Sequence, residues 1–379
     1  MAIETVLTNA CIVLPDEVIA GTVVLRDGLI ADIDAGASRS GEDIEGDYIL
    51  PGLIELHTDH LEAHYRPRPG VRWPIMPAIL AHDAQIATCG ITTVLDCLRV
   101  GTEGDEGFKE GELRLIADSI SSAGAGDRLR SEHFIHLRCE VSATDVMEAF
   151  ADFESDHRVK LVSLMDHAPG QRQFQTMDQF ILYYKVVQGR TDEEFERFCA
   201  DRIAQSKEYA APHRKLISDY CNANGIALAS HDDATLDHVD EAVEHGVTVA
   251  EFPTTIEAAR ASHEAGMKVL MGGPNIVRGG SHSGNIAAAD LATLGLLDVI
   301  SSDYVPFSML QSVFTLAETD NGISLPQAVA KVSATPADAV GFTDRGRISL
   351  GLRADMVRVR LFDGVPQVRT VWREGRRVA

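Results

Sequence analysis

Pro51-Gly-Leu-Ile-Glu55-Leu-His57-Thr-Asp59-His60-Leu-Glu-Ala-His64 is a short apolar run that ends in a burst of imidazoles and carboxylates. An extended chain points successive side chains to opposite faces. Read as a strand, the run puts Glu55, His57 and Asp59 on one side and Ile54, Leu56 and Thr58 on the other. Same-face neighbours lie ~7 Å apart and converge at a strand end, so His57 and Asp59 can reach one cation. The competing reading is a polar loop after a core strand, and the rest of the chain decides between them.

Downstream, strands and helices alternate. Candidate strands are Leu53–Asp59, Ile91–Leu98, Phe134–Val141, Lys160–Asp166, Ile226–His231, Val247–Phe252, Met267–Met271 and Asp298–Asp303. Helical runs such as Pro77–Thr88, Gly111–Ala123, Glu193–Asn224 and Leu236–His245 separate them, and Thr191 with Glu194 forms a capping box before the longest. Eight such repeats over about 250 residues predict an α/β fold of the TIM-type (β/α)8 barrel class rather than a doubly wound sheet. The two ends differ from the middle. Thr5–Leu14, Gly21–Arg26, Leu29–Ile33, Met356–Leu361 and Val368–Arg373 are β-branched runs broken by turns such as Asp27-Gly28 and Glu374-Gly375. They predict a small β-sandwich domain built from residues 1–50 and 346–379, around a barrel of residues 51–345.

The 379 residues are 45% apolar and 24% charged, which suits a globular protein with a sizeable core. A net charge of −23 argues against nucleic acid or an anionic membrane as partner. The six cysteines form no C-x-x-C pair, which predicts reduced thiols in a cytoplasmic protein. No basic leader precedes the first strand, and no apolar run approaches the ~18 residues of a membrane span. A homo-oligomer is compatible with all of this.

In such a barrel the reactive groups lie at the C-terminal strand ends. There the sequence supplies His57 and Asp59, then Glu140, His167, His231 and Asp303. On the third strand His136, Arg138 and Glu140 share the face opposite Ile135, Leu137 and Cys139, so the polar face points into the barrel. A buried carboxylate is costly unless it is paired or binds metal. Arg138 offers Glu140 a pairing partner, and a metal offers the other solution. Each histidine alone reads most simply as a hydrogen-bonded structural residue, but together they suit two divalent ions, zinc first, with manganese or iron as alternatives. Glu140 would bridge the pair, ~3.5–4 Å apart. Asp303 also reads as a general base, or as a helix N-cap.

Arginines follow directly. Tyr65-Arg66-Pro-Arg68-Pro-Gly-Val-Arg72-Trp73-Pro is a proline-stiffened loop suited to bidentate phosphate capture, or a solvated charge run. Arg172 lies in a polar loop after the fourth strand, and Ile181–Lys185 beyond it reads as a lid or a surface segment. Arg278, Ser281 and His282, in Pro274-Asn-Ile-Val-Arg-Gly-Gly-Ser-His-Ser-Gly-Asn285, make an oxyanion nest or a flexible turn. The expected partner is a small phosphorylated molecule.

These runs resemble the amidohydrolase superfamily, with Gly351-Leu-Arg-Ala-Asp355 near the C-terminus as a further shared feature. Within it they are similar to the diphosphatase branch that acts on alpha-D-ribose 1-methylphosphonate 5-triphosphate in phosphonate catabolism. The shared runs include His57-Thr-Asp59, Pro67-Arg-Pro-Gly-Val-Arg-Trp-Pro74, Ala81-His-Asp-Ala-Gln85, Asp166-His-Ala-Pro-Gly-Gln-Arg-Gln-Phe174, Ser230-His-Asp-Asp-Ala-Thr235, Ala250-Glu-Phe-Pro-Thr-Thr255 and Ser302-Asp-Tyr-Val-Pro306. The resemblance implies a metal-dependent hydrolase that releases diphosphate. It implies His57 as a metal ligand, Asp59 in place of the superfamily's usual second histidine, and His60 and His64 as substitutes or neighbours. Glu140 would replace the usual bridging lysine. Two other readings share the fold: a C–N hydrolase such as a deacetylase or cyclic amidase, which has no need of the arginines, and a non-catalytic scaffold.

Overall fold

The computed structural model describes residues 4–38, 40–101, 111–170, 172, 191–281, 284–319 and 321–379. Its centre is an eight-stranded sheet in strict sequence order. The strands are Leu53–Thr58, Ile91–Val100, Glu132–Glu140, Val159–Met165, Ala227–His231, Val249–Glu251, Lys268–Gly272 and Val299–Ser301. Every neighbouring pair is parallel. A parallel bridge between Thr58 and Asp303 brings the last strand to the first. There the Asp303 N–H donates to the His57 carbonyl at 3.0 Å, and the Asp59 N–H donates to the Asp303 carbonyl at 2.9 Å. The predicted eight-strand barrel is what the chain forms.

The barrel strands are buried on both faces, and beyond the first strand the two faces pack into different layers. Ile135, Leu137 and Cys139 pack outward against Ile116, Ile120 and Ile217 of the helix layer. Inside, Leu95, Leu161, Ala229, Val249, Leu270 and Val299 make an apolar layer. On four strands a polar residue stands two positions further on, on the same face: Ser163, His231, Glu251 and Ser301. The apolar layer removes water from beneath the mouth, and burying each large side chain is worth ~1.5–3 kcal/mol.

One expected detail fails in the first strand. Its pairing register shifts on either side of Ile54–Glu55, so it does not alternate cleanly. The strand ends at Thr58, and Asp59 begins the short helix His60–Tyr65.

The terminal strands share a second sheet, ordered Arg376–Arg377, Val365–Arg373, Met356–Phe362, Tyr48–Pro51, Glu4–Val13, Val18–Arg26, Leu29–Ala35, with Glu42–Asp43 on Glu4–Val13. Tyr48–Pro51 joins the two ends of the chain by antiparallel pairing with Met356–Val359. Leu7, Ile12, Ile49, Met356 and Trp372 form its core. Gly52 carries the chain from this sheet into the barrel, where a Cβ would fall 2.2 Å from Thr92 Oγ1. Only glycine fits that approach. The six cysteines are free, and no helix among the described residues is long and apolar enough to cross a membrane.

Candidate metal centre and active site

Glu251, at the end of the sixth strand, is the hub of the barrel mouth. It is fully buried. Oε1 lies 3.0 Å from His57 Nδ1, Oε2 lies 3.1 Å from His231 Nδ1, and Ser163 Oγ donates to Oε2 at 2.6 Å. His136 Nε2 is 3.7 Å from Oε1. Burial would raise this carboxyl's pKa, but the His57 and His136 imidazoles hold it well below the ordinary value. An ionised carboxylate only accepts. Each imidazole nitrogen that faces it therefore either carries a proton or shares a cation with it.

The chain of donors continues from His231. Its Nε2 is 3.4 Å from Asp232 Oδ2, and His167 Nε2 is 3.9 Å from the same atom. Asp232 is buried, yet Oδ2 has no hydrogen-bond partner. A buried carboxylate oxygen left between two imidazoles fits a divalent cation. His167 Nδ1 then meets Glu140 Oε2 at 2.6 Å, and the His167 N–H donates to Glu140 Oε1 at 2.9 Å. His57, His231 and Glu251 form one group of ligand-capable atoms, and His167, His231 and Asp232 form another that shares His231.

Three residues just beyond strand ends, Asp232, Phe252 and Asp303, take left-handed backbone with φ of 59°, 51° and 55°. Such angles cost non-glycine residues roughly 1–2 kcal/mol and concentrate at functional sites.

Arginines surround the acids. Arg138 donates from Nη1 to both Asp59 oxygens, at 2.6 and 2.7 Å. It therefore serves Asp59, and the pairing with Glu140 that its strand position offered does not form. Glu140 instead has Arg202 at 3.3 Å and Arg99 at 4.0 Å. Burial would push the Glu140 carboxyl up, but His167 and these guanidiniums hold it well below its usual range.

The expected substrate residues are spread more widely. Arg66 bonds Glu62 at 2.8 Å, and Arg72 lies 3.1 Å from Glu112. Arg68 is exposed in a tight turn closed by the Val71 N–H on its carbonyl. Arg278 is exposed at the end of the short helix Gly273–Arg278, and Ser281 follows it half-buried. Arg172 is not a free rim arginine: it is buried, with Asp233 and Glu241 taking its guanidinium. His282 and the Ile181–Lys185 segment lie outside the described residues.

Glu251, Asp232, Arg99 and Arg202 were not singled out from the sequence. A signal for Glu251 was present, because Val249 and Glu251 share a face on the sixth strand as Ala229 and His231 do on the fifth. Arg202 comes from a helix remote in sequence, which no local pattern places.

The amidohydrolase family model matches residues 223–379. The chain is 44% identical over 376 residues, 98% of its length and all of the relative's, to alpha-D-ribose 1-methylphosphonate 5-triphosphate diphosphatase of Escherichia coli (strain K12). In fold it is similar to the 5-methylcytosine deaminase of Klebsiella pneumoniae, with TM-score 0.68, 14% identity and coverage of 99% and 98% of the two chains. It is also similar to the N-acetyl-D-glucosamine-6-phosphate deacetylase of Mycobacterium smegmatis, with TM-score 0.66, 15% identity and 99% coverage of both.

Proposed function

Because the chain belongs to the amidohydrolase superfamily, in the family of the Escherichia coli diphosphatase, we propose that it catalyses the same reaction, metal-dependent release of diphosphate from alpha-D-ribose 1-methylphosphonate 5-triphosphate. The observation that carries this reading is the row Glu140–His167–Asp232–His231–Glu251–His57 at the barrel mouth, with neighbours 2.6–3.9 Å apart and Arg138, Arg99 and Arg202 beside it. Acids and imidazoles that share one small volume suit divalent ions, and arginines suit a polyphosphate.

His57 and Glu251 would hold one ion, and His167, His231 and Asp232 a second, with His231 giving its single lone pair to one ion only. Glu140 would orient His167 rather than bridge the pair, and Asp59 would stand by on Arg138. When bound, the ions supply Lewis acidity and positive charge against the phosphoryl oxygens. Zinc fits the nitrogen-rich donor set best, with manganese or iron as alternatives.

The remaining steps belong to the chain's own residues. Water adds to phosphorus at the α–β anhydride, whose P–O bond breaks, leaving the 5-phosphate on the sugar and freeing diphosphate. Asp303 takes the proton of the attacking water. Arg68, with Arg66, Arg72 and Arg278 near the rim, neutralises the triphosphate as it binds, and Ser281 and His282 add donors to that anion site. In this reading residues 51–345 are the hydrolase, and residues 1–50 with 346–379 are a composite β-domain that buttresses it.

The test is direct. Purified protein is given the triphosphate, and phosphorus-31 resonances are followed with and without a chelator. The expected result is diphosphate and the 5-phosphate, abolished by the chelator, with no acetate released from N-acetylglucosamine 6-phosphate. Intact triphosphate with a metal-loaded enzyme would overturn the reading.

A further inference from the structure

Outside the barrel mouth three histidines meet. His60 and His64 lie one turn apart on the helix His60–Tyr65, and His82 lies on the helix Ile75–Thr88. One ligand-capable nitrogen from each lies within 4.8 Å of the others. Ring centroids are 4.9 Å apart for His60 and His64, 6.0 Å for His60 and His82, and 6.1 Å for His64 and His82. His60 Nδ1, His64 Nε2 and His82 Nδ1 are buried and have no hydrogen-bond partner.

The chemistry behind His82 fixes which atom it offers. Its Nε2 is 2.8 Å from Asp96 Oδ1. That carboxylate is ionised, since His133 and His82 hold its pKa well below normal against the upward push of burial. An ionised carboxylate only accepts, so His82 Nε2 carries the proton and Nδ1 carries the lone pair. A carboxylate behind an imidazole whose other nitrogen faces an open cluster is the arrangement that orients metal-ligating histidines. His82 itself is fully buried.

This cluster is separate from the barrel mouth. Asp96 alternates with Leu95 and Cys97, and Leu95 faces the ring interior while Asp96 faces the helix that carries His82. We propose that His60, His64 and His82 form a second metal site, a three-imidazole centre for a borderline divalent ion, zinc first, with a fourth position left to water or an anion. The ion would tie together two helices whose connecting segment carries Arg66, Arg68 and Arg72. That last consequence, for substrate binding, rests on the role given to those arginines above; the site itself does not.

The test counts ions. Chelated protein is titrated with zinc alone, and bound metal per folded chain is measured for wild type, His60→Gln/His64→Gln and His231→Asn. The double variant is expected to bind one zinc fewer than wild type. His231→Asn is expected to lose metal at the mouth and to retain this ion, so a failed hydrolase reading leaves the result intact. Equal zinc in wild type and the double variant would overturn the proposal. Crystals of the unmodified protein give a reading that no folding defect can disturb. An anomalous peak at the zinc edge is expected ~2.0–2.1 Å from a nitrogen of each of the three histidines, and its absence after zinc loading would sink the site.

Discussion

One guanidinium nitrogen of Arg138 donates to both carboxylate oxygens of Asp59, at 2.6 and 2.7 Å. Arg138 rises from the third strand and Asp59 follows the first, so the pair spans the second strand between them. Asp59 is therefore set by a cation of the protein itself. Replacing Arg138 with Gln keeps a donor but removes the charge. The expected outcome is a loss of 10–100-fold in metal affinity or kcat/KM, the range typical of groups that orient a site without reaching the substrate. Metal titration and steady-state kinetics check it, and values within twofold of wild type would remove Arg138 from the site.

Asp303 has φ of 55°, and asparagine tolerates that left-handed backbone better than most residues. Asp303→Asn should therefore keep the strand-one to strand-eight junction, because its hydrogen bonds to His57 and Asp59 are made by the backbone. A base is lost while the shape is kept. Turnover should fall about 10²–10⁴-fold with thermal stability little changed. Near-normal kcat in that variant would exclude Asp303 as the proton acceptor.

Glu251→Gln removes the negative charge that faces His57, His136 and His231. An amide nitrogen then confronts an imidazole across a buried contact. At least one ion should be lost at the mouth, with kcat/KM down by more than 10²-fold. Elemental analysis of the folded variant checks the ion count. Full metal occupancy would mean that Glu251 only positions its neighbours.

The barrel was legible because its signals are local. Strands and helices alternate along the chain, and the third strand separates Ile135, Leu137 and Cys139 from His136, Arg138 and Glu140 by simple alternation. The joining of the chain ends was legible too, since two all-β segments flank a different middle. The partners were less so. Strand position alone offered Arg138 to Glu140, whereas the side chain crosses to Asp59. Arg172 lay in a loop that sequence assigns to the rim, but Asp233 and Glu241 come from elements downstream and enclose it. Alternation also misjudged the first strand, because a register shift is a property of two paired strands and neither sequence displays it alone.

Arg68 is exposed between two prolines and held in a turn. A loop fixed before binding loses little entropy when an anion arrives. Arg68→Ala should raise KM for the triphosphate about 5–30-fold, as expected for the ~1–2 kcal/mol of one charge-assisted contact, with kcat within threefold. Salt should raise the wild-type KM more steeply than the variant's. An unchanged KM would take the loop out of substrate binding.

His133 lies in the layer between strands and helices, with Nδ1 2.7 Å from Asp96 Oδ2 and Nε2 3.3 Å from Asp83 Oδ1. Burial lowers its pKa from 6.5, but Asp96 and Asp83 outweigh burial and raise it to about 9. A histidine raised on folding lends stability that is complete below its unfolded value, near 6.5, and disappears as pH climbs through its folded value. Between pH 6.5 and 9 the wild type should therefore lose up to a few kcal/mol that His133→Gln, already without the charge, does not lose. Urea midpoints measured across that interval for both proteins supply the comparison. The imidazole proton resonances of His133 in the folded wild type should titrate near pH 9, and a midpoint near 6.5 would show that the two carboxylates do not hold its proton.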